Sequence, residues 1–159
     1  EKVKAQQIEI INFTDYLIND PLSRPNIKGL RVEADLIIPE ESPHGILIFA
    51  NLYNSPPPRV IVPKDNYIDS LRVAIDNEEF DYRDVLSTGP HKIILEKYFN
   101  SYNSVDKHYW YTPQEELEIL REKVADRNLY IEITIKFELT EPRNVIHKTR
   151  QYTFDDYVF

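Results

Sequence analysis

Carboxylates and imidazoles are the side chains here that could do chemistry, and the densest carboxylate group is Glu78, Glu79, Asp81 and Asp84 in "DNEEFDYRDVLSTGP". Two carboxylates held across a sugar-sized gap would make a glycosidase, and several oxygens on one loop would hold calcium. This stretch lacks the turn glycine and the regular alternation of a DxDxDG calcium loop, and acidic residues crowded together are usually solvated. The four histidines, His44, His91, His108 and His147, show no HxxxH or HxH spacing, so no metal site is expected. With no cysteine, disulfides, thiolate zinc sites and thiol nucleophiles are excluded. The sequence holds no GxGxxG, GxSxG or HExxH motif, and its three glycines are too few for a phosphate-cradling loop. Serine, histidine and aspartate all occur, but a triad is defined by geometry. No cofactor is expected.

A second group could bind rather than react. "YFNSYNSVDKHYWYTP", residues 98–113, packs Tyr98, Phe99, Tyr102, Tyr109, Trp110 and Tyr111 into one connecting stretch. Exposed Tyr and Trp faces on a loop bind sugars, peptides or proteins. The candidate ligand-binding residues are Tyr102, Tyr109, Asn103, Asp106 and His108, the polar ones forming a rim. The competing reading makes Phe99 and Trp110 core, filling the gap between a helix and a sheet while the tyrosine hydroxyls stay wet.

The elements that must position these residues are mostly strands. "RVEADLII" (31–38) puts Val32, Ala34, Leu36 and Ile38 on one face. "GILIFAN" (45–51), "RVIV" (59–62), "SLRVAI" (70–75) and "HKIILEKY" (91–98) follow, and the triple proline Pro56–Pro58 bars a central strand just before the second of these. "LYIEITIKFEL" (129–139) alternates Ile131, Ile133, Ile135, Phe137 and Leu139 with Glu132, Thr134, Lys136 and Glu138, the pattern of an antiparallel sheet with one wet face. "EPRN" then turns the chain into a partner strand at 145–154.

One helix is signalled over about 113–125. Thr112 is its N-cap, Pro113 its first residue and Glu115 completes a capping box, with Leu117, Leu120 and Val124 as the apolar stripe and Glu118 paired with Arg121. "QQIEIINFTDYLIND" fits either a strand or a helical turn ended by Pro21. With so few glycines, longer proline-bearing loops should do most of the turning. The expected fold is mainly β: one antiparallel β-sandwich or partly open β-barrel over residues 1–159, with one packed α-helix.

The segment "LRVAIDNEEFDYRDVLSTGPHKIILEKY", residues 71–98, resembles the "V-x-I-D-G … G-x-H-x-I-x-V" rhythm of small β-sandwich modules on bacterial surface proteins. Asn77 stands where such modules often carry glycine, and Pro90 interrupts the turn before His91. The resemblance implies a surface binding or structural module.

Composition agrees with an acidic globular domain: 159 residues, net charge −8 and 42% hydrophobic residues. A polyanion would meet an unfavourable field, and "HKTRQY" (147–152) offers only Lys148 and Arg150 on one strand face, so nucleic acid is not an expected partner. No apolar run approaches the roughly 20 residues that span a membrane. The chain has no methionine, even at position 1, which suggests a processed chain or a piece of a longer one, with any signal peptide or anchor upstream. An extracytoplasmic setting is slightly favoured.

The expectation is therefore a non-enzymatic binding or structural module of a surface or membrane-anchored protein, contacting protein or carbohydrate through loops and sheet edges. The alternatives are a small carboxylate-dependent hydrolase centred near residues 76–84, and a β-barrel sensor or effector domain holding a small ligand in its mouth.

Overall fold

Strict apolar–polar alternation makes the strands, and the strands make nearly everything else. The computed structural model describes residues 8–19, 27–39, 45–57, 66–80, 83–84, 86–99, 103–104, 109–110, 112–137 and 141–158. In chain order the elements are β1 (Glu9–Ile18), β2 (Gly29–Ile38), β3 (Ile46–Tyr53), β4 (Tyr67–Ile75), β5 (Glu78–Glu79), β6 (Arg83–Asp84), β7 (Gly89–Tyr98), β8 (Asn103–Ser104) and β9 (Tyr109–Trp110). Then come α1 (Pro113–Ile119), a π turn (Leu120–Val124), β10 (Tyr130–Phe137), β11 (Arg143–Lys148) and α2 (Phe154–Tyr157). The segment 59–62, expected as a strand, lies outside the described residues.

The long strands form one antiparallel sheet in the order β1-β2-β7-β4-β3-β10-β11, nearly closed into a barrel. Counting only these long strands along the chain, the path reads first, second, fifth, fourth, then third, sixth, seventh. That is the connection order of a Greek-key sandwich whose two half-sheets are joined rather than separate. The joint is β4. Its residues Leu71 to Tyr67 pair with Ala50 to Tyr53 of β3, whereas Arg72 to Ile75 pair with Glu96 to Ile93 of β7. Beyond Leu71 the two half-sheets split, and the chain fills the split itself: β5 pairs with β4 at Ala74 and Ile75, and β6 pairs with β3 at Ile46 and Leu47.

Inward residues form one core. Val32, Leu36, Ile93, Leu95, Ile131 and Ile133 are all buried within it. Burying a side chain of this size stabilises by about 1.5–3 kcal/mol, so the alternating strands carry most of the folding drive. Gly29 is needed by close approach, because a Cβ there would meet the Tyr98 ring at 2.7 Å and the Lys97 carbonyl at 2.8 Å.

The N-terminal segment proves to be strand, not helical turn. β1 runs against β2 with a bulge between Ile11 and Thr14, where Asn12 takes a positive φ of 60°. The Asp76–Asn77 turn joins β4 to β5 with φ of 54° and 68°, a primed two-residue turn made without glycine.

The predicted helix is present, with its cap. Thr112 Oγ1 accepts from the Glu115 N–H at 3.2 Å, and Glu115 accepts from the Thr112 N–H at 2.8 Å. The α-helix ends at Ile119, however, and the last turn is a π turn that buries Leu120 and Val124. Among the described residues no ion pair joins Glu118 to Arg121, contrary to expectation; the Arg121 guanidinium lies 4.0 Å from the centre of the Phe154 ring. The C-terminal hairpin also forms, but β11 stops at Lys148 rather than 154. Tyr152 then bridges to Arg127, and Thr153 caps α2 through Asp156. Lys148 and Arg150 consequently do not share a strand face.

The two ends of the sheet path meet. Successive antiparallel steps leave β1 and β11 parallel to one another, and no backbone ladder joins them among the described residues. Side chains do so instead. Arg143 donates to the Ile8 carbonyl, and the Phe13 and His147 rings stack at 4.7 Å.

Candidate functional site

The aromatic stretch is divided by the fold. Phe99 is buried and meets Tyr157 of α2 edge-on at 5.5 Å, so its role is packing, against a different helix from the one expected. The backbone of Asn103 and Ser104 pairs with that of Trp110 and Tyr109 as a small separate ladder, β8–β9. Asn103 and Tyr109 are thus brought to adjacent short strands. Tyr102, Asp106 and His108 lie outside the described residues.

Of the four carboxylates named from the sequence, Asp81 lies outside the described residues and Asp84 is described by its backbone alone, on β6. Glu78 and Glu79 are exposed on β5, with Glu79 3.4 Å from Arg72. Among the described residues, no group of three or more His, Asp or Glu side chains comes together to hold a metal ion.

What does converge is a serine, a histidine and an aspartate. His91 Nδ1 lies 2.6 Å from Asp76 Oδ2, and its Nε2 lies 3.5 Å from Ser87 Oγ. Asp76 is presented by the primed turn, which the Asp76 Oδ1 fastens by accepting from the Lys92 N–H at 3.0 Å. These are the parts of a nucleophile–base–orienter arrangement. A fourth contact changes its meaning, because Nε2 also lies 2.8 Å from the Ser87 carbonyl oxygen. A carboxylate and a carbonyl both accept, so satisfying the two contacts together takes a hydrogen on each ring nitrogen, the imidazolium form. Such a ring has no lone pair with which to take a proton from Ser87.

The electrostatics agree with this wiring. His91 has a side chain only 9% exposed, and burial acts to lower its pKa, yet the Asp76 carboxylate and the Ser87 carbonyl together raise it above the ordinary histidine value. Its hydrogen bond holds Asp76 below the usual carboxylate range. The "IDN … GPH" rhythm contained both residues; what it could not reveal was that they touch.

A second aspartate–histidine pair escaped the sequence reading altogether. Asp15 of β1 is 7% exposed and receives His147 Nε2 at 2.9 Å and the Tyr152 hydroxyl at 2.6 Å. Burial acts to raise the Asp15 pKa, but the His147 and Tyr152 hydrogen bonds outweigh it and hold the carboxyl below its ordinary value. The Tyr152 hydroxyl is correspondingly pushed up, by burial and by Asp15. Residues 132 positions apart leave no local signal.

The outer faces of the two half-sheets differ. Over β1, β2, β7 and β4, cross-strand charges are satisfied by one another. Tyr16 donates to Glu33, Lys92 reaches Glu33 at 3.0 Å, and Arg31 Nε reaches Glu96 at 2.6 Å. Over β3, β10 and β11 the register instead sets Phe49 opposite Thr134, and Ile146 opposite Glu132. Phe49 is 40% and Ile146 37% exposed. Beside them Tyr53 lies opposite Tyr130, and Tyr53 meets Tyr67 edge-on at 5.5 Å. Ile11, 41% exposed, stands singly opposite Asp35 on the other half.

Among the described residues, no helix is long and apolar enough to cross a membrane. Compared with known proteins, the chain matches no family model, no curated protein and no solved structure.

Proposed function

We propose that this domain is a non-catalytic binding module that meets a protein partner across the outer face of β3, β10 and β11. The observation that carries the reading is the contrast between the half-sheets: one outer face is tiled with charge pairs, while the other leaves Phe49 and Ile146 in water among tyrosines. Aromatic and aliphatic side chains on the outer face of a sheet supply the desolvated centre of an interface. Lys136 and Lys148 border the patch opposite Leu47 and Tyr130, and Glu132 lies within it opposite Ile146, so the fitting partner combines apolar side chains with charges of both signs. This role suits the surface-displayed setting that the sequence resemblance implies.

A photo-crosslinking residue placed at position 49 in the cell of origin tests the reading, with the same residue at Arg72 on the charge-paired face as control. A discrete heterologous adduct from position 49, lost on adding Ile146→Asp without a change in Tm, is the expected result. Equal adducts from both positions, or none from either, would sink it, as would an adduct of twice the chain's own mass. The carboxylate-dependent hydrolase alternative makes an opposite demand: turnover of a p-nitrophenyl glycoside that disappears in Glu78→Gln or Glu79→Gln.

A further inference from the structure

We infer that His91 is a proton-controlled pin for the excursion that fills the split between β3 and β4. Three observations meet at this ring. The excursion leaves β4 at the Asp76–Asn77 turn, pairs with β4 through β5 and with β3 through β6, and returns at Ser87. It is packed as well as paired, since Phe80 is buried, Leu86 lies against the core and the Phe80 N–H donates to the Val73 carbonyl at 2.9 Å. His91 joins its two ends, with Nδ1 on Asp76 at 2.6 Å and Nε2 on the Ser87 carbonyl at 2.8 Å.

Both acceptors require a donor, so the pin exists in full only while the ring holds two protons. Removing the Nε2 proton sets a nitrogen lone pair against a carbonyl lone pair at 2.8 Å, and the Ser87 backbone must withdraw. The Asp76 contact survives through Nδ1–H, so one end of the excursion is released and the other stays.

Among the described residues, the groups facing the ring leave this titration to His91 and Asp76. From the turn comes Asp76, and from the return loop Ser87. On β7 the adjacent Lys92 is directed to Glu33 of β2, at 3.0 Å. On β2 the residue opposite His91 is Leu36, and its neighbour Asp35 accepts from Asn12 at 2.8 Å. On β5, Glu79 is directed to Arg72. The sign follows from the raised pKa of His91 and the lowered pKa of Asp76. Pinning is complete below the ordinary histidine value and is lost as pH rises through His91's raised one. At the acid end it is lost as pH falls through the lowered value of Asp76.

Ring-nitrogen NMR and amide hydrogen exchange on the same protein test this. At about pH 6, on the acid side of the ordinary histidine value, both His91 nitrogens should be protonated. Exchange protection of the β6 amides, Arg83 and Asp84, which lie on the Ser87 side of the excursion, corrected for intrinsic base catalysis, should fall by up to about tenfold per pH unit between about 6.5 and the ring's own midpoint, while the Phe80 amide beside the retained Asp76 turn falls less. Asp76→Asn should shift that midpoint and the loss of protection together to lower pH. A neutral tautomer at about pH 6, or β6 protection indifferent to the ring's titration, overturns the inference. Both readouts come from the wild-type protein, so the result does not depend on any variant folding.

Discussion

Asp15 with His147 and Asp76 with His91 are the same two residue types at similar separations, 2.9 and 2.6 Å, and they are wired for opposite ends. Asp15 is enclosed between the first and last long strands and collects donors from His147 and Tyr152, with Arg150 at 3.8 Å. Asp76 has a side chain 55% exposed and serves a turn. Depth sets the value of a contact: water competes for Asp76, whereas a carboxylate stripped of water at Asp15 depends entirely on the groups around it. Partner type sets what the contact can do. At the turn a carbonyl on Nε2 makes the histidine a two-proton device; at the seam the stacked Phe13 ring makes it a packing element.

Breaking the seam should produce the largest effect. Asp15→Ala removes the shared acceptor of His147 and Tyr152 and should destabilise by about 3–5 kcal/mol, the loss of two hydrogen bonds to a buried carboxylate; urea midpoints check this, and a loss below about 1 kcal/mol would place the seam among ordinary surface pairs. Tyr152→Phe deletes one donor to that carboxylate and should cost about 1.5–3 kcal/mol. Because the Asp15 pKa is lowered by its partners, its contribution is present above the ordinary carboxylate range and lost as pH falls through its own lowered value. Wild type should therefore lose stability on acidification faster than Asp15→Asn, and parallel acid titrations would contradict the assignment. Thr112→Ala, which removes the α1 cap, should cost about 0.5–2 kcal/mol by thermal melting. Smallest is Asp76→Ala, at about 0.2–1 kcal/mol near neutral pH given its exposure. A loss as large as that of Asp15→Ala would erase the distinction between the two pairs.

Local periodicity made the frame legible. Ile131, Ile133 and Ile135 are buried where their alternation put them, as are Val32, Ala34, Leu36 and Ile38, and the Thr112–Glu115 box is formed as its spacing required. Each of these signals is contained in a few consecutive residues. The helix at Phe154–Tyr157 was equally local, since Thr153 and Asp156 form a capping box; it went unread because "QYTF" looks like strand. The glycine-free Asp76–Asn77 turn defied a rule that ties primed turns to glycine, because Asp and Asn also tolerate positive φ. Tertiary meetings were invisible for another reason. Nothing near Asp15 specifies His147, and the ring nitrogens of His91 acquire their roles only when Ser87 folds back beside them. Among the ligand residues proposed from sequence, only Asn103 and Tyr109 lie on described strands, paired with Trp110 and Ser104 respectively.

The side-chain seam between β1 and β11 also bears on the order of folding. The β10–β11 hairpin closes a short loop and can form early, whereas Asp15 and His147 are separated by 132 residues and meet only after the strands between β1 and β11 have assembled. Contacts that mature after the rate-limiting step govern how fast the native state is lost rather than how fast it is reached. Asp15→Ala should then raise the unfolding limb of a chevron plot and leave the folding limb almost unmoved, so that the seam acts as a late latch on the lifetime of the folded domain.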